Sequence, residues 1–200
     1  MLLPRNLTDS IVNLLQNDTE NHEIIFLLGT RQTGKTSLTR LVAEASDFNS
    51  GETFFFDLED KEYRTLFGTG SVVELNSILR LKGIDPARRS RLIFYEAQQL
   101  DDPANLLKLL HDHFPELRII ATGSSSLQIK QKFSDSLAGR KRIFLVRPLD
   151  FDEFLLFKEE PRLLQARKLF RENPDDAVLP RIMEAYHDRF PTVSFCALYS

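Results

Sequence analysis

The chain has 200 residues, 42% of them hydrophobic and 28% charged, with a formal net charge of −3. That length and apolar share suit one buried core, or one domain with a fragment of a second. The charge excludes a global pull toward nucleic acid or anionic membrane, the single Cys196 excludes an internal disulfide, and no apolar run is long enough to span a bilayer.

Leu7, Ile11, Leu14 and Leu15 recur at helical spacing, so the chain starts with an amphipathic helix. EIIFLLG is an all-apolar run of strand length, the pattern of a strand buried on both faces of a parallel sheet. TSLTRLVAEAS follows as a helix, ETFFFDLED as a second strand ending in acids, and SVVELNSILRLKG as a helix stopped by Gly83. RLIFYEA is the third strand. Asp102 before Pro103 marks the start of the helix that NLLKLLHDHF fills. LRIIATGSSS is a fourth strand with a polar tip, and RIFLVRPL a fifth. Strands alternating with helices at this pitch predict a doubly wound, mostly parallel five-stranded α/β sheet with flanking helices. After Pro148 the pattern turns helical, in DFDEFLLFKEEPRLLQARKLF and DDAVLPRIMEAY, while RFPTVSFCALYS has no clear assignment.

GTRQTGKTS fits the phosphate-loop pattern G-x-x-x-x-G-K-[ST], with Gly29, Gly34, Lys35 and Thr36 in place. Glycines let the backbone turn so tightly that its N–H groups point into one concavity. The helix that follows presents its positive end to phosphate. Thr30, Arg31, Gln32 and Thr33 form the rim, Lys35 would reach the β and γ phosphates, the Thr36 hydroxyl would bind Mg²⁺, and Ser37 closes the motif. Its position between a buried strand and a helix is the context that such a loop requires. The expected ligands are ATP and Mg²⁺, and the fold implied is a P-loop NTPase.

In P-loop ATPases of the additional-strand class, a later apolar strand ends in Asp-Glu. The first acid orders the metal's waters and the second polarises the attacking water. LIFYEAQQ keeps the second acid, Glu96, but has Tyr95 at the first. A phenol carries no formal charge at neutral pH, though it can accept a hydrogen bond from a metal-bound water. Mg²⁺ keeps several waters and takes few protein ligands, so the loss should weaken the metal and slow turnover without abolishing nucleotide binding. Asp57, Glu59 and Asp60 at the tip of FFFDLED could compensate; they read equally as a solvated helix start.

Together these segments resemble the prokaryotic AAA-type P-loop ATPases in which an ATPase module precedes a C-terminal domain of unknown function. LLGTRQTGKTSL is similar to that family's phosphate loop, FFFDLED to its second-strand signature, and LIFYEAQQL to its acid strand apart from Tyr95, with Gln98 kept. IIATGSSS resembles the strand carrying a polar sensor, here Thr122 or Ser124, and LAGRKRIFLVRPLDFDEFL the segment with a glycine-arginine pair, here Gly139 and Arg140. The resemblance implies that the sensor strand lies between the loop strand and the acid strand, so that Thr122 and Glu96 flank the γ-phosphate. It also implies an ATPase domain over residues 1–158 and a helical extension over 159–200, read as a stub of the C-terminal module.

Arg140 is a candidate γ-phosphate or intersubunit arginine, and equally a surface residue beside Lys141 and Arg142. RLKGIDPARRSR lacks interleaved aromatics and reads as a solvated face rather than a nucleic-acid site. His111 and His113 are two apart and point to different faces of their helix, against a metal site. Phe151, Phe154 and Phe157 read as core or as a docking stripe. The expectation is a cytoplasmic ATP- and Mg²⁺-binding AAA-like domain, a weak ATPase with Glu96 as base, Thr122 as sensor and Arg140 as a further catalytic residue. A protein partner or the missing module would read its state, and an oligomer stays open. The rival is an interaction module that binds ATP without turning it over.

Overall fold

The computed structural model describes residues 5–17, 23–45, 52–68, 70–124, 137–172 and 184. They fall into two units, residues 6–147 and, separately, Arg5 with the residues after 147. The first holds five parallel strands, β1 (Ile24–Leu28), β2 (Thr53–Asp57), β3 (Ser90–Tyr95), β4 (Leu117–Gly123) and β5 (Lys141–Leu145), in the order β2-β3-β4-β1-β5. This is the α/β P-loop sheet that the sequence predicts, with β4 between β1 and β3. Because every strand runs the same way, the ends that follow Leu28, Asp57, Tyr95 and Gly123 gather along one rim.

The all-apolar runs have a simple cause. Successive residues of a strand face opposite sides, and here both sides are covered. Ile24, Phe26, Leu28, Leu92 and Phe94 belong to one core cluster. Residues of α3 (Lys61–Phe67), α4 (Val72–Leu81) and α5 (Pro103–His113) join that cluster. Ile25, Leu27, Ile93 and Ile120 belong to the other, with α1 (Asn6–Asn17) and α2 (Lys35–Ala45). Each such side chain, once buried, contributes about 1.5–3 kcal/mol. On edge strand β2, Phe56 stacks on Phe94 at 5.3 Å and meets Phe67 edge-on at 4.8 Å.

The helix boundaries follow local chemistry. Asp102 accepts the Asn105 N–H at 3.1 Å, with Pro103 in the first turn where no N–H is needed. Gly83, at φ 80°, ends α4: its N–H reaches the Arg80 carbonyl and the Ile84 N–H reaches Leu79. That pair of bonds is a Schellman turn, closed by buried Ile84 and Leu79. Asp60 caps α3 by accepting the Glu62 N–H at 2.8 Å.

One expectation changes in RLKGIDPARRSR. Arg91 is not solvated but wholly buried at the start of β3, and its guanidinium donates to the Ala43 carbonyl in the last turn of α2. A helix C-terminus is a favourable place for a cation. Burial, then the neighbouring Arg89, pushes its pKa down to about 10.

In the second unit α6 (Phe151–Phe157) starts in a capping box, Asp150 accepting the Glu153 N–H and Glu153 the Asp150 N–H. Phe151 and Leu155 pack with Leu164 of α7 (Pro161–Glu172), and Arg167 pairs with Asp152 at 2.7 Å. Of the Phe stripe, Phe151 is buried and stacks on Phe154, whereas Phe157 is 53% exposed. The expected helix in DDAVLPRIMEAY, apart from helical Glu184, lies outside the described residues, as do RFPTVSFCALYS and Cys196.

Candidate nucleotide site

The loop of residues 29–34 leaves the buried end of β1 and enters α2 at Lys35. Gln32 and Gly34 take left-handed backbone, at φ 64° and 84°. Such turns are what point successive N–H groups inward. Gly29 is required sterically. A Cβ there would stand 2.4 Å from the Val146 carbonyl oxygen and 2.7 Å from the Thr33 hydroxyl. We therefore expect Gly29→Ala to force the loop off β5, costing about 1–3 kcal/mol of stability in thermal unfolding together with nucleotide affinity. A variant with unchanged melting would show that the loop has room to spare.

Lys35 is 7% exposed and folds back on its own loop, its Nζ donating to the Gly29 and Thr30 carbonyls at 3.0 Å each. The same Nζ stands 3.9 Å from Glu96 Oε1. Thr36 and Ser37 are exposed on the first turn of α2, which carries no acid. That turn therefore offers N–H groups and positive dipole with no carboxylate in competition.

Glu96 directly follows β3, in left-handed backbone at φ 51° and ψ 49°. For a residue with a Cβ this costs roughly 1–2 kcal/mol, the kind of strain that clusters at functional sites. Three contacts hold it. Its N–H donates to the Thr122 hydroxyl at 3.1 Å, its Oε2 accepts from Gln98 Nε2 at 2.6 Å, and its Oε1 faces Lys35. Thr122 is 1% exposed and does not line the cleft; Ser124 follows Gly123, whose carbonyl accepts the Gly29 N–H at 3.2 Å.

Tyr95 reaches across to α2. Its hydroxyl lies 2.9 Å from Thr39 Oγ1, and Thr39 in turn donates to the Thr36 carbonyl at 2.8 Å. Thr39 has a single hydroxyl proton, so in that pair the phenol is the donor. The ring also stacks on Phe55, 6.1 Å away and tilted by 10°.

Of these groups Lys35, Thr36, Tyr95 and Glu96 open on one cleft of about 670 Å³, a volume in the range of small-molecule sites. Arg31, Lys35 and Arg40 line its loop-and-helix side; Asp57, Glu59 and Glu96 line its strand side. A polyanion that carries a divalent cation fits such a divided surface, because each half meets its opposite charge. Among the described residues no three metal-ligating side chains form a cluster. Mg²⁺, held by one or two protein groups plus phosphates and water, needs none.

The structure does not bring Arg140 to this cleft. Its carbonyl accepts the Ile24 N–H where β5 begins, at the far end of the strands from the loop. Five strand residues lie between, roughly 16 Å. There the guanidinium donates to Asp112 Oδ1 at 2.8 Å, beside His111 at the same distance. Burial tends to raise the Asp112 carboxyl, but hydrogen bonds and charge from Arg140 and His111 outweigh it and hold it below its ordinary value. Sequence reasoning missed Arg40, Phe55 and Tyr63, which line the cleft, and Thr39, which is buried against the Tyr95 hydroxyl. Only Thr39 had a signal, lying one helical turn after Thr36.

The family model described as AAA domain matches residues 21–155. An uncharacterised protein of Methanocaldococcus jannaschii, MJ1544, is 28% identical over 137 residues, which cover 68% of this chain and 29% of that protein. The chain thus spans less than a third of the relative's length. AMPPCP-bound DnaA from Aquifex aeolicus is a similar solved structure, at 15% identity and a TM-score of 0.47, over 95% of this chain and 62% of that one.

Proposed function

Since the chain belongs to the AAA domain family, we propose that its 670 Å³ cleft binds Mg²⁺-ATP and hydrolyses it slowly. One observation carries the reading. A complete phosphate loop, with its lysine 3.9 Å from a strained glutamate, opens on a cleft divided into a cationic and an acidic side. Lys35 and the N–H groups of residues 29–36 hold the phosphates, and the Thr36 hydroxyl takes the metal. Bound Mg²⁺ would supply neutralisation of the phosphate charge. Glu96 orients and deprotonates the attacking water. Thr122 acts through Glu96, fixing the backbone that aims it, and Arg140, at the opposite end of β5, takes no part in this chain's own cleft.

Slow turnover follows from Tyr95, whose hydroxyl is tied to Thr39, so that β3 itself offers the metal's water shell no carboxylate. We expect Tyr95→Asp to hydrolyse ATP roughly 10- to 100-fold faster and at lower Mg²⁺, the usual scale for a carboxylate acting on a metal's outer shell. Losing the Thr39 hydrogen bond and the Phe55 stack should cost about 1–3 kcal/mol of stability. Phosphate release across a Mg²⁺ series, with thermal unfolding alongside, separates the two effects. A folded variant with no gain in rate or metal dependence would show that position 95 has no part in metal handling. The decisive measurement on the protein itself is turnover of Mg²⁺-ATP beside ATP affinity. Tight binding with no turnover would favour the non-hydrolysing interaction module.

A further inference from the structure

We infer that Asp57, on the strand beside β3, supplies the carboxylate that orders the water shell of the divalent cation. This rests on the nucleotide reading above. Tyr95 is committed elsewhere: its O–H is donated to Thr39 and its ring is stacked on Phe55, so it braces β3 against α2. The acid must then come from another element at the same rim. Asp57 is the register partner of Tyr95 on parallel β2, about 4.8 Å away across the sheet, and it lines the same cleft as Lys35 and Thr36.

The three acids of this segment are not equivalent. Asp60 is the N-cap of α3 and does not line the cleft. Glu59 lines it from the turn beyond the strand. Asp57 sits on the strand end itself, and its Oδ1 accepts the Glu59 N–H at 2.9 Å. That bond fixes the carboxylate and leaves Oδ2 to accept from a metal-bound water. Contact through water suits Mg²⁺, which sheds its hydration reluctantly. It also removes any need for the acid to stand on β3, since the water spans part of the extra strand spacing. The charge division argues the same way: without a bound cation, Asp57, Glu59 and Glu96 would repel a triphosphate seated on Arg31, Lys35 and Arg40.

The test titrates a fluorescent, non-hydrolysable ATP analogue into wild type, Asp57→Asn, Glu59→Gln and Asp60→Asn at stepped free Mg²⁺. Asn keeps the Oδ1 acceptor for the Glu59 N–H, and Asp57→Ser, which also keeps an oxygen acceptor, serves as a second variant. We expect both Asp57 variants to need roughly 10- to 100-fold more Mg²⁺ for the same nucleotide affinity. Their affinity in EDTA should be unchanged or tighter, and Asp60→Asn should follow wild type. Adding Tyr95→Asp to Asp57→Asn should restore most of the metal dependence. An unchanged Mg²⁺ dependence in folded Asp57 variants overturns the inference, as does a shift produced by Glu59→Gln alone. If wild type binds no nucleotide at any Mg²⁺, the phosphate-loop reading falls and takes this inference with it. If wild type binds and the Asp57 variants match it, only this inference falls.

Discussion

Lys35→Ala is expected to weaken ATP binding roughly 10- to 150-fold, from the loss of charge-assisted hydrogen bonds worth about 1.5–3 kcal/mol. Lys35 is the cation held inside the loop, 7% exposed and already desolvated, so its charge acts on phosphate with little screening. Folding should survive. What the lysine holds without nucleotide is two carbonyl oxygens, and Thr30's also accepts from the Thr33 hydroxyl at 3.0 Å. No buried charge is orphaned, because Glu96 is 25% exposed and its other oxygen is held by Gln98. Calorimetry on both proteins decides the matter. Equal affinity would mean that the loop has the shape of a phosphate site without the function of one.

Glu96→Gln should leave ATP bound and cut turnover by about 10²-fold or more, the scale of a general base. The substitution is well matched to the site. Gln has nearly the same volume, bears the same backbone strain at φ 51°, and keeps an oxygen to accept from Gln98 at the position now 2.6 Å away. Its N–H bond to Thr122 is untouched. Only the basicity and the negative charge beside Lys35 disappear. Single-turnover hydrolysis beside ATP affinity reads this directly. Unchanged turnover would reduce Glu96 to a structural residue and favour the module that binds without hydrolysing.

The strands were legible because this sheet is covered on both sides, which turns each central strand into an unbroken apolar word such as IIFLL or LIF. The loop was legible because phosphate binding demands particular residues at fixed spacing. Gly83 and Asp102–Pro103 were legible because caps are local. What stayed hidden was set by distance along the chain or by brevity. Helix α3 has seven residues and buries only Phe67, too little for a periodic signal; only the acids at the tip of FFFDLED hinted at its start. The partnership of Tyr95 with Thr39 joins residues 56 apart, and no pattern in either segment encodes it. Arg91 looked solvated because its run is polar, while the carbonyl that it serves belongs to α2. Arg140 sat in a suggestive stretch, but the parallel direction of β5 sends it to the other rim.

The strand order has a further consequence. Among the described residues β1, β3 and β4 are paired on both sides and hold the middle of the sheet, whereas β2 is paired to β3 alone and β5 to β1 alone. Local opening begins where the fewest hydrogen bonds and apolar contacts must break. The phosphate loop is thus mounted on an inner strand, and Asp57 and Glu59 on an edge that opens more readily. A ligand gripped by both halves would restrain the fraying edge through its own two ends. Part of its binding free energy would then go into suppressing that opening, so the empty and filled forms would differ most in how long β2 stays zipped, with little change in shape.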